Sequence, residues 1–136
     1  MSVLAGLKPE RVFYYFEELC RIPHGSGNTK KVSDYLVQFA KDHDLKYVQD
    51  EMNNVVIYKP GTAGYENAPV VIIQGHMDMV CAKCPEIEHD FTKNGLKLVV
   101  KDGFLSAEGT TLGGDDGIAV AYGLALLDST DLPHPA

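Results

Sequence analysis

Apolar side chains at Val12, Phe13, Phe16, Leu19 and Cys20 follow the i, i+1, i+4, i+7, i+8 spacing of one helical face and predict a helix over residues 9–21. Pro9 suits its first turn, where a missing N–H costs nothing. The pattern then breaks at Ile22-Pro23-His24-Gly25-Ser26-Gly27, a loop rich in helix breakers. It resumes with Val32, Tyr35, Leu36, Phe39 and Ala40, a second helix capped by Asn28 or Thr29. Two short strands follow, about residues 45–51 and 55–59, joined through Asn53-Asn54, a pair that tolerates positive φ. Residues 60–69 are polar and glycine-containing, and read as loop. Val70-Val71-Ile72-Ile73 has no polar alternation, the pattern of a central strand buried on both faces. A hairpin is expected over 96–100 and 103–107 about Lys101-Asp102-Gly103, and a last helix over 117–129 that is apolar nearly all round and hence expected to be buried. Helices interleaved with strands make this an α/β chain. Its last residues, 131–136, read as a loop leading into further structure.

Length and charge narrow the possibilities. At 136 residues the chain is one ordinary domain by size, and 45% hydrophobic with 23% charged residues is a globular composition. The net charge of −7 and the scattered distribution of 12 basic residues argue against a nucleic-acid partner, which would need clustered Lys and Arg. No run of 18 apolar residues is present, so no membrane span or membrane partner is expected. The first ten residues lack the basic start and apolar run of a signal peptide, and the three cysteines are odd in number. Both features point to reduced thiols and a cytoplasmic location.

Two segments are candidates for chemistry. Gln74-Gly75-His76-Met77-Asp78-Met79-Val80 follows the run expected to be a buried strand, and ligands bind beyond the carboxyl ends of strands in open α/β sheets. On extended backbone His76 and Asp78 project to one side, and a carboxylate beside an imidazole fixes its tautomer and raises its basicity as a metal ligand. A short H-x-D also occurs in ordinary strand-end turns, so this segment alone leaves both readings open. The second segment, Gly109-Thr110-Thr111-Leu112-Gly113-Gly114-Asp115-Asp116-Gly117, opens the last helix. Its glycines allow close backbone approach and its paired acids suit a cation, while helix capping by an Asp is the competing structural reading. It lacks the Gly-Lys-Ser/Thr of a phosphate loop and the alternating ligands of an EF-hand. Cys81-Ala82-Lys83-Cys84 has no second pair to close a zinc site and reads as two free thiols. His24, His43 and His134 have no partner spacing and read as surface or loop histidines, and His89-Asp90-Phe91 carries no chemistry that spacing alone reveals.

Taken together, Gly75-His-Met-Asp-Met-Val-Cys81, His89-Asp-Phe91 and Gly109-Thr-Thr-Leu-Gly-Gly-Asp-Asp-Gly-Ile-Ala119 resemble the co-catalytic zinc peptidases of the aminoacylase and carboxypeptidase type. The subgroup most like it is the aminoacyl-histidine (Xaa-His, carnosine-cleaving) dipeptidases. Phe16-Glu-Glu-Leu-Cys-Arg-Ile-Pro-His-Gly-Ser-Gly-Asn28 also resembles that subgroup's first helix and loop, and the likeness runs over nearly the whole chain.

The resemblance implies a three-layer α/β/α catalytic domain with a mixed sheet, of which residues 1–136 would be the N-terminal portion. His76 would ligate one of two zinc ions, Asp115 would bridge them, and Asp78 would be the catalytic aspartate that orients the His76 imidazole. Relatives usually carry Asn where this chain has Asp116, and Ala is common where it has Gly114. The family's adjacent Glu-Glu pair, a further Asp, a late His and an inserted lid or dimerisation domain are not in these 136 residues; no Glu-Glu occurs after residue 18. The intact parent would be a homodimer hydrolysing dipeptides, Xaa-His ones favoured, with two metal ions ~3.5 Å apart polarising the scissile carbonyl and a glutamate shuttling the proton. The fragment, holding two ligands where a catalytic zinc needs three, would bind zinc weakly or not at all and be inactive. A zinc tripeptidase, an N-acyl amino-acid hydrolase and a non-catalytic binding or assembly module are the alternatives.

Overall fold

The computed structural model describes residues 2–136, so Met1 of the N-terminal stretch lies outside it. The chain runs α1 (Glu10–Arg21), α2 (Lys30–Asp42), β1 (Lys46–Gln49), β2 (Val55–Tyr58), β3 (Leu98–Lys101), β4 (Phe104–Ala107) and α3 (Gly114–Asp128). This is the α/β mixture expected, with sheets made of two antiparallel ribbons, β1–β2 and β3–β4.

The core forms where α1 lies against α3. Val12, Phe16 and Leu19 of α1 are buried, and α3 answers with Gly117, Ala121 and Leu124, a stripe repeating at four and three residues. The Phe16 ring lies so close to Gly117 that a Cβ there would stand 3.3 Å from a ring carbon. Pro9 sits at the N-cap of α1 with extended backbone rather than inside the first turn. Neither Asn28 nor Thr29 caps α2 through its side chain, a correction to the expected cap; Thr29 instead accepts the Ser33 N–H at its carbonyl, 2.9 Å away. Ser33 is fully buried, donates to Asn53 O (2.8 Å) and receives Gln49 Nε2 (2.8 Å), which ties α2 to the β1–β2 ribbon.

Both hairpins turn where the sequence places them. Asn53 adopts φ 69°, and the Asp50 carboxylate accepts the Met52 and Asn54 N–H groups. Asp102 (φ 52°) and Gly103 (φ 80°) supply the two consecutive positive φ angles of a type I′ turn, which fits the pairing Lys101↔Phe104.

Three expectations are corrected. Residues 70–73 pair with no strand among the described residues and lie exposed, Ile72 at 85%. One side of this extended run faces α3, where Ile73 Cγ2 comes within 4.0 Å of the Cβ position of Gly123; the other is open. The hydrophobic pattern reports what the segment favours, and no described element covers it. For the same reason α3 buries one stripe only and leaves Ile118, Tyr122 and Leu126 exposed. His43, expected as a surface or loop histidine without a partner, has partners: its Nε2 donates to Asp128 Oδ1 (2.8 Å), its Nδ1 reaches Phe39 O (2.8 Å), and the ring stacks on that of Phe39. Asp128 also receives Arg11, so the one carboxylate joins the ends of α1, α2 and α3.

Glu17 anchors the N-terminal segment. Although on a helix face, it is buried, and its carboxylate accepts Ser2 Oγ and the N–H groups of Val3 (2.8 Å) and Leu4 (3.2 Å). Burial alone would raise this carboxyl; the hydrogen bonds outweigh it and hold it below the ordinary carboxylate range. A carboxyl depressed in the folded state stabilises the fold above its unfolded pKa, and that contribution disappears as pH falls through the folded value. Urea unfolding at neutral pH is therefore expected to show Glu17→Gln less stable by about 1–3 kcal/mol. The gap should close on acidification; a gap that persists at low pH contradicts this role. A second expected outcome concerns the open run at 70–73. Light scattering should show mass rising with concentration, and Ile72→Lys should reduce the rise, because exposed strand edges pair with copies of themselves. A monodisperse monomer at high concentration would contradict it.

Candidate functional site

The loop leaving α1 and the segment after residue 73 lie side by side. Met79 N donates to His24 O (3.1 Å) and Ser26 N donates to Met79 O (3.1 Å), one parallel bridge between two loops. His24, expected as a surface or loop histidine, lies in the loop but is buried, its Nδ1 donating to Ile22 O at 2.6 Å. The breaker-rich stretch needs this internal bond because its backbone belongs to no ladder. A third segment, 109–113, crosses the same place. Thr111 Oγ1 donates to Val80 O (2.7 Å), Thr111 N to Ala82 O (2.9 Å), and Cys84 N to Gly109 O (2.8 Å). Gly113 ends this run at φ 70°, where a Cβ would lie 3.0 Å from Met79 Sδ and 3.4 Å from His24 Nε2. Only glycine meets both the backbone angle and the space. Cys81 and Cys84 are free and exposed, as expected of two thiols without a second pair, and the Cys81 side chain packs on Gly25.

This crossing brings His76, Asp78 and Asp115 together. His76 Nδ1 lies 3.1 Å from the Asp78 carbonyl oxygen and 3.1 Å from Asp78 Oδ1. Both partners only accept, so Nδ1 carries a proton. On the other side of the ring, Nε2 faces Asp115 Oδ1, also at 3.1 Å. A neutral imidazole would set its lone pair against that carboxylate, so the arrangement calls for a positive charge there, a second ring proton or a cation. Accordingly the imidazole is held above its ordinary pKa, first by the hydrogen bond to Asp115, against desolvation, with Asp78 adding to it. Asp78 is depressed, chiefly by a hydrogen bond from Ser26 Oγ to its Oδ2 at 2.5 Å.

Asp115 and Asp116 stand at the start of α3 without helical backbone, at φ −91°, ψ 102° and φ −122°, ψ 25°, and neither caps the helix. Their carboxylates turn elsewhere. Asp115 is 96% exposed and meets His76, whereas Asp116 Oδ2 accepts the His76 backbone N–H at 3.3 Å. Asp116 thus secures the backbone of its neighbour segment instead of adding a donor beside Asp115. Among the described residues no group of three or more His, Cys, Asp or Glu side chains is arranged to hold a metal ion. His89-Asp90-Phe91 forms a local turn: Asp90 Oδ1 accepts Thr92 N and Oγ1, and the His89 and Phe91 rings meet edge to face.

The sequence reading missed Ser26 and the backbone role of Asp116. Serine among Pro, His and Gly reads as a turn residue, and its partner lies 52 positions away, beyond any local spacing signal. Asp116 sits inside a flagged segment, but nothing in a pair of acids says which one faces a backbone amide.

No protein-family model matches the chain. It is 38% identical over 134 residues to the cytosol non-specific dipeptidase of Escherichia coli K12, an alignment that takes in 98% of the chain and 28% of that protein. Its structure superposes on the aminoacylhistidine dipeptidase of Vibrio alginolyticus with a TM-score of 0.95 at 36% identity, over 98% of this chain and 27% of that one. A tripeptidase of Staphylococcus aureus matches with a TM-score of 0.72 at 25% identity, over 95% of this chain and 35% of that one. The chain therefore spans little more than a quarter of the length of the two dipeptidases. The sequence likeness and the superposition both run through nearly all of its residues, so the chain is similar throughout to part of each of these dipeptidases.

Proposed function

We propose that this chain forms part of the catalytic domain of a metal-dependent dipeptidase acting on Xaa-His and related dipeptides, supplying two metal ligands, His76 and Asp115, and the aspartate, Asp78, that orients His76. The observation that carries this reading is the imidazole held between two carboxylates, with Nδ1 on Asp78 and Nε2 on Asp115. Two donors on a tetrahedral zinc, each ~2.0–2.1 Å away, stand roughly 3.3 Å apart. The 3.1 Å between His76 Nε2 and Asp115 Oδ1 is close to that, so the pair fits a shared ion in place of a shared proton. Asp115 has a second carboxylate oxygen and nearly full exposure, which suits it to a bridging position between two zinc ions. When bound, such ions act as Lewis acids toward a carbonyl and lower the pKa of water. Asp78 keeps the His76 proton at Nδ1 and so leaves Nε2 free as a donor. The peptide-cleaving names of the relatives support the substrate class, and the higher structural likeness to the dipeptidase than to the tripeptidase favours dipeptides. A homodimeric parent, a cytoplasmic location and absence of nucleic-acid binding belong to the same reading. For membranes, no helix among the described residues is long and apolar enough to cross one.

With two ligands against the three that a catalytic zinc requires, the 136-residue chain by itself is expected to bind zinc weakly and to cleave no dipeptide. Zinc titration followed by imidazole NMR should move the His76 resonances and spare the enclosed His24. Asp115→Ala should weaken the response at His76 at least tenfold. Micromolar or tighter zinc binding with measurable dipeptide hydrolysis by the chain would sink the two-ligand account, and a response confined to Cys81 and Cys84 would sink the site assignment. Replacing the matching segment of the Escherichia coli relative by this chain tests the wider reading. The hybrid should turn over Xaa-His dipeptides faster than a tripeptide or an N-acetyl amino acid, and the opposite order would favour the alternative hydrolases.

A further inference from the structure

Ser26 lies outside every segment to which the chemistry was assigned, yet its hydroxyl reaches into it. Ser26 Oγ donates to Asp78 Oδ2 at 2.5 Å, while Asp78 Oδ1 receives His76 Nδ1 at 3.1 Å. The two carboxylate oxygens are thus divided, one to the loop after α1 and one to the imidazole. A carboxylate held by a single bond at Oδ1 would be free to turn about its terminal torsion, which is broad and roughly two-fold. The second bond removes that freedom. Ser26 can do this because its own backbone is fixed: its N–H donates to Met79 O, and Met79 N donates to His24 O, one residue beyond Asp78 in the chain. His24 is buried and Gly25 packs against the Cys81 side chain, so the loop is held on both sides of the serine.

We propose that Ser26 is a positioning residue which, by holding Asp78 Oδ2, keeps Asp78 Oδ1 on His76 Nδ1 and leaves His76 Nε2 turned toward Asp115 as a metal donor. The metal part of this statement rests on the proposed function; the positioning part rests on the hydrogen-bonded chain Ser26–Asp78–His76 alone. Ser26 itself is exposed and lies outside the core, so removing its hydroxyl is expected to leave the fold intact. The same exposure means that a threonine keeps the donor without needing buried space.

The test uses the 136-residue chain, its Ser26→Ala and Ser26→Thr variants, and Asp78→Asn as the reference for a lost carboxylate. The first readout is the His76 tautomer, from ring nitrogen shifts without metal at alkaline pH, where the imidazole is neutral. The wild type should hold its proton at Nδ1; Ser26→Ala should give a mixture of tautomers, and Ser26→Thr should restore the wild-type pattern. The second readout is zinc response at His76, expected to weaken about tenfold in Ser26→Ala, the lower end of what losing a group behind a metal ligand costs, and to recover in Ser26→Thr. Circular dichroism and thermal unfolding should be the same for the wild type and both serine variants. A Ser26→Ala chain with wild-type tautomer and zinc response overturns the proposal, as does a Ser26→Thr chain that behaves like the alanine variant. Failure of the wild type to respond to zinc at His76 refutes the metal reading instead, and the tautomer comparison then still decides the role of Ser26.

Discussion

Everything at the site depends on one backbone bridge, the pairing of Met79 with the residues that flank Gly25. Met79 gives its N–H to His24 and takes the Ser26 N–H, and through those two bonds the loop that ends α1 is laid beside the loop that carries His76 and Asp78. Neither loop belongs to a sheet, so these two bonds set their backbones in register, with Ser26 Oγ on Asp78 beside them. Met79 is also buried, and its side chain closes against the space left by Gly113, which brings the third loop and Asp115 to the same place. A hydrophobic side chain and two peptide hydrogen bonds therefore position a group of charged side chains that would otherwise repel one another and scatter.

The site is polar and exposed while its support is apolar and enclosed. α1 and α3 pack through Phe16 and the small residues Gly117 and Ala121, and both elements lead straight into site segments, α1 into the His24–Ser26 loop and α3 out of Asp115 and Asp116. Moving one helix against the other would pull on the carboxylates at once. Pre-organisation of this kind matters because a side chain misplaced by an ångström loses most of its value to a metal or a substrate.

How far the fold can be read from sequence depends on where each cause lies. The three helices and both hairpins are set by causes within a few residues: an apolar stripe in α1 and α2, Asn53 and Asp102-Gly103 at turns. His76 and Asp78 stand out by their spacing and Asp115 by its glycine-rich loop, each with a structural reading beside it, and only the resemblance to the zinc peptidases joins the three into one set. What escaped depends on distant partners. Ser26 finds Asp78 across 52 positions, and His24 is buried by Gly113 and Met79 from two other segments. The run at 70–73 misled in the other direction, since its pattern states a preference for burial that the described residues do not fulfil.

Diffraction from crystals grown in excess zinc, measured on either side of the zinc absorption edge, reports the position of the ion directly. The account predicts an anomalous peak between His76 Nε2 and the Asp115 carboxylate, with Asp78 still on Nδ1. A peak on the Cys81 and Cys84 thiols, or none near His76, would contradict it.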